Sequence, residues 1–383
     1  MPRVIETGHV PIFVWAGDPP DGAIRQLRAI AGLPFVVGRV AAMPDLHVAE
    51  GVSVGTVFAT ERHLVPAALG GDLGCGMSAV SFRFPAASLS RDDLREILGS
   101  LGRAFGPKGK KDSPGEAAQA LLAEPLSTRA LDHDRERFAR SQLGTVGGGN
   151  HFVELDRDME GDLWLLVHSG SRGIGAAIGA HHGKAARAAA GPGAEPGWLE
   201  VESDAGRAFV ADLGWALRYA RANRDRLVEL ASGVLAERLE VAADPLSRVD
   251  VPHNFAALET HGGRQVWVHR KGASAAPAGA RVLIPGSMGT ASYLAEGLGE
   301  PSSFASCSHG AGRVMSRREA RERVGVGALE HSMRRVVFEE RLSRALAEEA
   351  PAAYRDIAEV LAEQEDLVRP AMRLEPVAVF KGG

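Results

Sequence analysis

Residues 70–80 read Gly-Gly-Asp-Leu-Gly-Cys-Gly-Met-Ser-Ala-Val, a turn-forming run that feeds directly into an apolar one. The glycines let the backbone turn sharply, and the β-branched and apolar residues that follow predict a strand over Met77–Phe82. Asp72 and Cys75 stand three residues apart inside the turn. A carboxylate with a thiolate suits zinc, manganese or iron, and a thiolate can bridge two ions. Read alone, the segment fits a tight turn around an inert cysteine at least as well.

The same layout recurs along the chain. Further strands are predicted at Val52–Phe58, Leu163–Val167, Gln265–Val268 and Arg281–Ile284, each flanked by a turn bearing glycine or histidine. Helical periodicity is strongest from Ser203 to Leu239, where Phe209, Leu213, Leu217, Ala220, Leu227, Leu230 and Val234 recur, with Arg224 breaking the apolar row. Ser90 before Leu94 and Leu98 marks another helix start. Two more helices are expected at Gly327–Glu349 and Pro351–Val368. Residues 106–115 (GPKGKKDSPG) and 191–197 (GPGAEPG) read as loops. Polar residues able to carry chemistry are spread from position 45 to 381, so the expectation is one integrated α+β domain over residues 1–383, with mixed sheets and peripheral helices.

Composition narrows the function classes. The chain has 383 residues, 45% of them apolar and 24% charged, enough to bury a substantial core. A formal net charge of −4 argues against a protein that coats duplexes, because non-specific nucleic-acid affinity comes from Lys and Arg displacing counterions. Lysine occurs only at 108, 110, 111, 184, 271 and 381, so the cations are overwhelmingly arginine, whose planar fork suits phosphate. Two cysteines build no disulfide framework. No apolar run approaches the roughly 18 residues of a membrane span, and the opening MPRVIETGHV lacks the pattern of a secretory signal. The expectation is a soluble, cytoplasmic protein without a membrane partner.

Four further segments hold candidate chemistry. QLGTVGGGNHFVEL places Asn150 and His151 after three glycines, a loop able to offer several N–H groups to an anion. It is not a Walker loop, since no Gly-Lys-Ser/Thr follows. LWLLVHSGSRGIG sets His168 at the end of a buried strand with Arg172 in the turn, and VPHNFAALE supplies His253 and Asn254. Asp72, Cys75, His151, His168 and His253 together exceed one tetrahedral site and match two ions sharing a thiolate, a reading that spacing alone leaves open. SCSHGAGRVMSR carries His309 and Arg313 in a glycine-rich turn, with HRKGAS (Lys271) and VLIPGSMGTASYL upstream. Lys381 follows the apolar stretch EPVAVF, so it is either held in a site or frayed in solvent.

In this order, GGDLGCG, GGGNHFVE, HSGSRG, HN, HRKGA, GSMGTASY and SCSHGAGR resemble the RtcB family of RNA ligases, from MPDLH at 43 to the final AVFKGG. The resemblance implies an RtcB-like catalytic domain that joins an RNA 3'-phosphate or 2',3'-cyclic phosphate to a 5'-hydroxyl, using GTP and two Mn2+ ions in RNA repair or tRNA processing. It implies that Cys75 bridges the ions, with His168 and His253 on one and Asp72 and His151 on the other. His309 matches the histidine that takes GMP from GTP and passes it to the RNA end. Asn150, Asn254, Pro285, Gly286, Ser287, Met288, Gly310, Ala311, Gly312 and Lys381 fall where the family holds the nucleotide, and Arg172, Lys271 and Arg313 are candidate RNA contacts. Any accessory protein is left unidentified.

Departures from the family pattern at Val48–Glu50 and at residues 106–115 touch the RNA channel more than the metal ligands. They keep two other readings in view. One is a binuclear metal phosphatase or cyclic phosphodiesterase that does not ligate, and the other is a non-catalytic RNA- or nucleotide-binding paralogue.

Overall fold

The continuous apolar run at Leu163–Val167 shows how the main sheet is built. In the computed structural model, which describes residues 1–106 and 114–382, this run lies within the strand Asp162–Ser169. Leu163, Leu165 and Val167 face one cluster with Leu94, Leu98, Leu227 and Leu235 of two helices, while Trp164 and Leu166 face a second cluster with Met77, Val249, Leu283 and Leu374. A strand buried on both faces has no polar alternation to display, which is why it reads as a continuous apolar run.

Seven strands form that sheet, in the spatial order Ala243–Pro252, Gly76–Pro85, Asp162–Ser169, Phe152–Arg157, Val368–Phe380, Ser292–Gly297, Arg281–Ile284, all neighbours antiparallel. The sheet curls until its edges approach. Arg281 at one edge donates to the carbonyls of Leu246, Ser247 and Arg248 at the other, at 3.4, 3.3 and 2.9 Å. A six-stranded sheet takes the order Arg3–Ile5, Ile12–Val14, Val36–His47, Val54–Thr60, Arg264–Lys271, Asn254–His261. The chain passes from the first sheet to the second between Pro252 and Asn254, and His253 is the residue at that crossing.

Register then does most of the assembly. Met77 and Phe152 both pair with His168, and Gly76 pairs with both Ser169 and Pro252. Cys75, His151, His168 and His253 are therefore all at or next to the same rung, at one end of the curled sheet. His309 arrives from the other side, just after the strand Ser306–Ser308, which pairs with Ala273–Ala275.

The predicted long helix spans Asp204–Leu239, with the Ser203 hydroxyl accepting from Gly206 N–H at 3.0 Å. Each fully buried leucine of this helix contributes about 1.5–3 kcal/mol of burial energy. The helix predicted from Ser90 spans Arg91–Phe105 and carries a reciprocal cap between Ser90 and Asp93. All five predicted strands are present within a few residues of their expected limits. Two helix expectations are corrected. Residues 327–349 do not form one helix: Val326–Ser332 ends at Met333, and short helical turns resume only at Glu340. The intervening Val336 and Phe338 are buried in an apolar cluster, and Val337 exchanges backbone bonds with Val377 and Val379, pulling the chain out of helix. Within 351–368 only Ile357–Ala362 is α-helical, and Val368 already opens the long strand to Phe380. The loop expected at 191–197 is present, whereas that at 106–115 lies largely outside the described residues.

Candidate metal centre and nucleotide pocket

Strand ends deliver the donors, and backbone groups orient them. Cys75 Sγ lies 3.3 Å from His151 Nε2 and 3.3 Å from His168 Nε2. His168 Nε2 is 3.3 Å from His253 Nε2, and His151 Nε2 is 3.1 Å from Asp72 Oδ2. The thiol thus stands between two pairs, Asp72 with His151 and His168 with His253. Donor-to-donor edges near these lengths are those around an ion bound at about 2.0–2.3 Å.

Second partners set the tautomers. His168 Nδ1 lies 3.1 Å from the Asn150 carbonyl and His151 Nδ1 3.1 Å from the Val146 carbonyl. Nδ1–H donation to the Asn150 carbonyl leaves the His168 Nε2 lone pair facing the thiol. Arg172 Nη1 also approaches His151 Nδ1, at 3.0 Å. Asp72 Oδ1 accepts from the N–H and the hydroxyl of Ser171, both at 2.9 Å. Its Oδ2 is buried and makes no hydrogen bond, an acceptor costly to bury unless a cation meets it. Among the described residues, Cys75, His151 and His168 group as metal donors. This chemistry fits a divalent transition metal.

Electrostatics agree with that fit. Burial, then the neighbouring charged groups, holds His168 and His253 well below the ordinary imidazole pKa, so both rings are neutral. Burial tends to raise Asp72, but His151 and Ser171 outweigh it and the carboxyl lies below its usual range. Burial and Asp72 push the Cys75 thiol up, so without a cation the sulfur holds its proton.

Beside the donors opens a cavity of about 690 Å³, lined by all five of these residues and by Asn150, Asn254, Pro285–Met288, His309–Gly312, Arg313 and Lys381. The His309 and His253 ring centres are 4.8 Å apart. His309 Nδ1 is 2.6 Å from Asp45 Oδ2, and the same oxygen accepts the His309 N–H at 3.1 Å. Asp45 is fully buried. Gly312, at φ +72, permits this approach, since a Cβ there would sit 2.6 Å from the Asp45 carbonyl oxygen. The Pro285 carbonyl accepts from Ala311 N–H at 2.9 Å, tying the two glycine-bearing loops together.

Lys381 is buried in this wall, with its ammonium 5.8 Å from the centre of the Phe152 ring. Burial pushes its pKa down to about 8, against the opposing pull of Glu349 and Glu154. The Arg313 guanidinium is committed to Glu349 Oε1 at 3.3 Å, Tyr354 Oη at 3.1 Å and the carbonyls of Met315 and Glu348 at 3.0 and 2.6 Å. Arg317, half exposed, reaches Glu349 Oε1 at 3.0 Å.

Two of the expected residues, Arg172 and Lys271, do not line the cavity. Arg172, at φ +60, folds its guanidinium over Gly147, where a Cβ would lie 2.0 Å from it. The glycine run before Asn150 thus makes room for a guanidinium. Lys271 is buried, and its ammonium donates to the carbonyls of Glu50 and Ala67 at 2.9 and 3.3 Å, so it braces the chain where it was expected to meet RNA. Asn254 donates to the Asp72 carbonyl at 3.2 Å and accepts from Gly272 N–H at 2.8 Å, bracing the donor turn from the cavity wall. Sequence reading missed Asp45, Glu349 and the buried Asp156. Asp45 lies in the MPDLH stretch, but nothing local to it points to a partner 264 residues away.

A buried thiol and imidazole cluster beside a large cavity fits a metal-binding protein, and comparison with known proteins narrows the class. The chain belongs to the RtcB family, whose description, tRNA-splicing ligase RtcB, matches residues 26–126 and 116–382. It is 34% identical to RNA-splicing ligase RtcB1 of Escherichia coli (strain ATCC 25922), over 99% of this chain and 99% of that protein. It is 32% identical to RNA-splicing ligase RtcB of Mycobacterium tuberculosis, over 93% of this chain and all of the relative. The tRNA-splicing ligase RtcB of Thermococcus kodakarensis is 28% identical, over 100% and 97%. Among the described residues no helix is long and apolar enough to cross a membrane.

Proposed function

We propose that this protein is an RNA ligase that uses GTP and Mn2+ to join RNA 3'-phosphate or 2',3'-cyclic phosphate ends to 5'-hydroxyl ends. The observation that carries the reading is His309: Asp45 engages its Nδ1, leaving Nε2 as the free ring nitrogen in a cavity shared with Cys75 and His253. The RNA-splicing names of the relatives supply the substrate class.

Each residue then has a role. The His309 Nε2 lone pair attacks the α-phosphorus of GTP, the bond to the bridging oxygen breaks, and pyrophosphate leaves, while the Nδ1 proton stays on the hydrogen bond to Asp45. Lys381 and the loops at Pro285–Met288 and Gly310–Gly312 hold the nucleotide, and Asn150 contacts phosphate. GMP passes from Nε2 to the RNA 3'-phosphate, giving a phosphoanhydride, and attack by the 5'-hydroxyl expels GMP. A cyclic phosphate is first opened by water. Two Mn2+ ions shared through Cys75, with Asp72 and His151 on one side and His168 and His253 on the other, would offset phosphate charge when bound. Arg317 and Arg313 edge the RNA path. Residues spread from Asp72 to Lys381 line one cavity, so the chain acts as one catalytic unit, and its two buried free thiols agree with work in the cytoplasm.

GTP carrying a labelled α-phosphate, with Mn2+, tests the reading. Wild type is expected to retain label through denaturation, and His309→Ala and Cys75→Ala to retain none. A protein that never takes label yet releases phosphate from RNA ends is a hydrolase, and the ligase assignment falls. Full labelling of Cys75→Ala would remove the shared-thiolate arrangement.

A further inference from the structure

The long helix contributes no donor to the metal centre, yet two adjacent residues near its middle, Asn223 and Arg224, are buried directly behind it. Arg224 Nε and Nη2 donate to the two oxygens of Asp250 at 2.6 and 2.9 Å, a bidentate pair that fixes the guanidinium plane. Its Nη1 donates to the Gly74 carbonyl at 2.8 Å and to the Ser169 carbonyl at 3.2 Å. Gly74 precedes Cys75, Ser169 follows His168, and Asp250 lies three residues before His253.

Asn223 serves the fourth segment. Its Oδ1 accepts from Gly144 N–H at 2.7 Å and Thr145 N–H at 3.3 Å, and its Nδ2 donates to Ser169 Oγ at 3.0 Å. Ser169 Oγ donates in turn to the Val146 carbonyl at 2.9 Å, the oxygen that His151 Nδ1 faces. Nδ2 also reaches the carbonyls of Thr145 and Gly170, both at 3.2 Å. A buried ion pair kept only for stability gains little over apolar packing. Here the bonds run to the segments bearing Cys75, His151, His168 and His253.

We infer that Asn223 and Arg224 are positioning residues that set the spacing of these four donors, so that the long helix governs metal affinity without touching metal. This rests on the metal-centre reading above. Donors held at fixed spacing pay no ordering cost on binding, and loss of an outer partner typically weakens a metal site about 10- to 100-fold.

The test uses the full chain stripped with chelator and titrated with Co2+, read by the thiolate-to-cobalt absorption and the visible bands, with thermal melting alongside. Asn223→Ala and Arg224→Lys are expected to weaken Co2+ binding about 10- to 100-fold and to shift the visible bands. Leu235→Ala, a core truncation eleven residues further along the same helix at a side chain that makes no hydrogen bond to these segments, is expected to lower the melting temperature and leave both metal readouts unchanged. Should Arg224→Lys not fold, Asn223→Ala decides alone. Affinity within about twofold of wild type and an unshifted spectrum for Asn223→Ala, or equal weakening by Leu235→Ala, overturns the inference while the metal centre stands. A wild type that takes no Co2+ overturns both.

Discussion

His309 has two ring nitrogens, and Asp45 engages one of them. A buried carboxylate 2.6 Å from Nδ1 fixes the ring's orientation, and in the proposed reaction it would stabilise the positive charge that builds on the ring as Nε2 bonds to phosphorus. Asp45→Asn keeps the shape and removes the charge. Guanylation in that variant should slow about 100-fold or more while Co2+ binding stays unchanged, measured by rapid-quench labelling and absorption titration. An unaltered rate would show that Asp45 only packs the turn. At this scale the residue types were legible, because thiol, imidazole and carboxylate in glycine-rich turns announce themselves. Their partners were not: Asp45, Val146 and Asn150 act on histidines through atoms that every aspartate or peptide group carries.

The strand Phe152–Arg157 shows what an element adds. Its alternation sends Val153 and Leu155 toward the helices and leaves Glu154 and Asp156 on the opposite face, both buried. Neither carboxyl oxygen of Asp156 has a hydrogen-bond partner, and burial pushes its pKa up to about 8 from 3.8. Burial, and then the Asp156 charge, raises Glu154 as well. A carboxyl whose folded pKa exceeds its unfolded one binds more protons in the native state, so stability falls as pH rises from about 4 to about 8. Asp156→Asn should therefore raise the melting temperature more at pH 8 than at pH 5. An equal change at both values would show that Asp156 does not titrate in that window. The 3.6-residue period made the Asp204–Leu239 helix legible, and Arg224, which interrupts its apolar row, is explained by Asp250. The segment 327–349 was misread because its helix-favouring composition competes with a tertiary pull, the backbone bonds of Val337 to the long strand.

Over the whole molecule, the donors are separated by stretches from three to 85 residues, so unfolding scatters them and a bound metal stabilises only the native chain. Free Mn2+ at a hundred times its dissociation constant should add about 2.7 kcal/mol to the unfolding free energy, read as a rise in melting temperature that chelator reverses. A melting temperature indifferent to Mn2+ would count against a native-state site. The sequence by itself determined which chemistry the chain can carry and, through its apolar runs and helical period, five of the seventeen strands among the described residues and the long helix, because residue type and periodicity are local properties. Only the tertiary structure decided that Cys75, His151, His168 and His253 gather at one end of the curled sheet, that His309 leans on Asp45, and that Lys271 and Asn254 brace the chain. Those outcomes depend on strand register and on where the chain crosses between sheets, and both are fixed by packing among residues far apart in sequence.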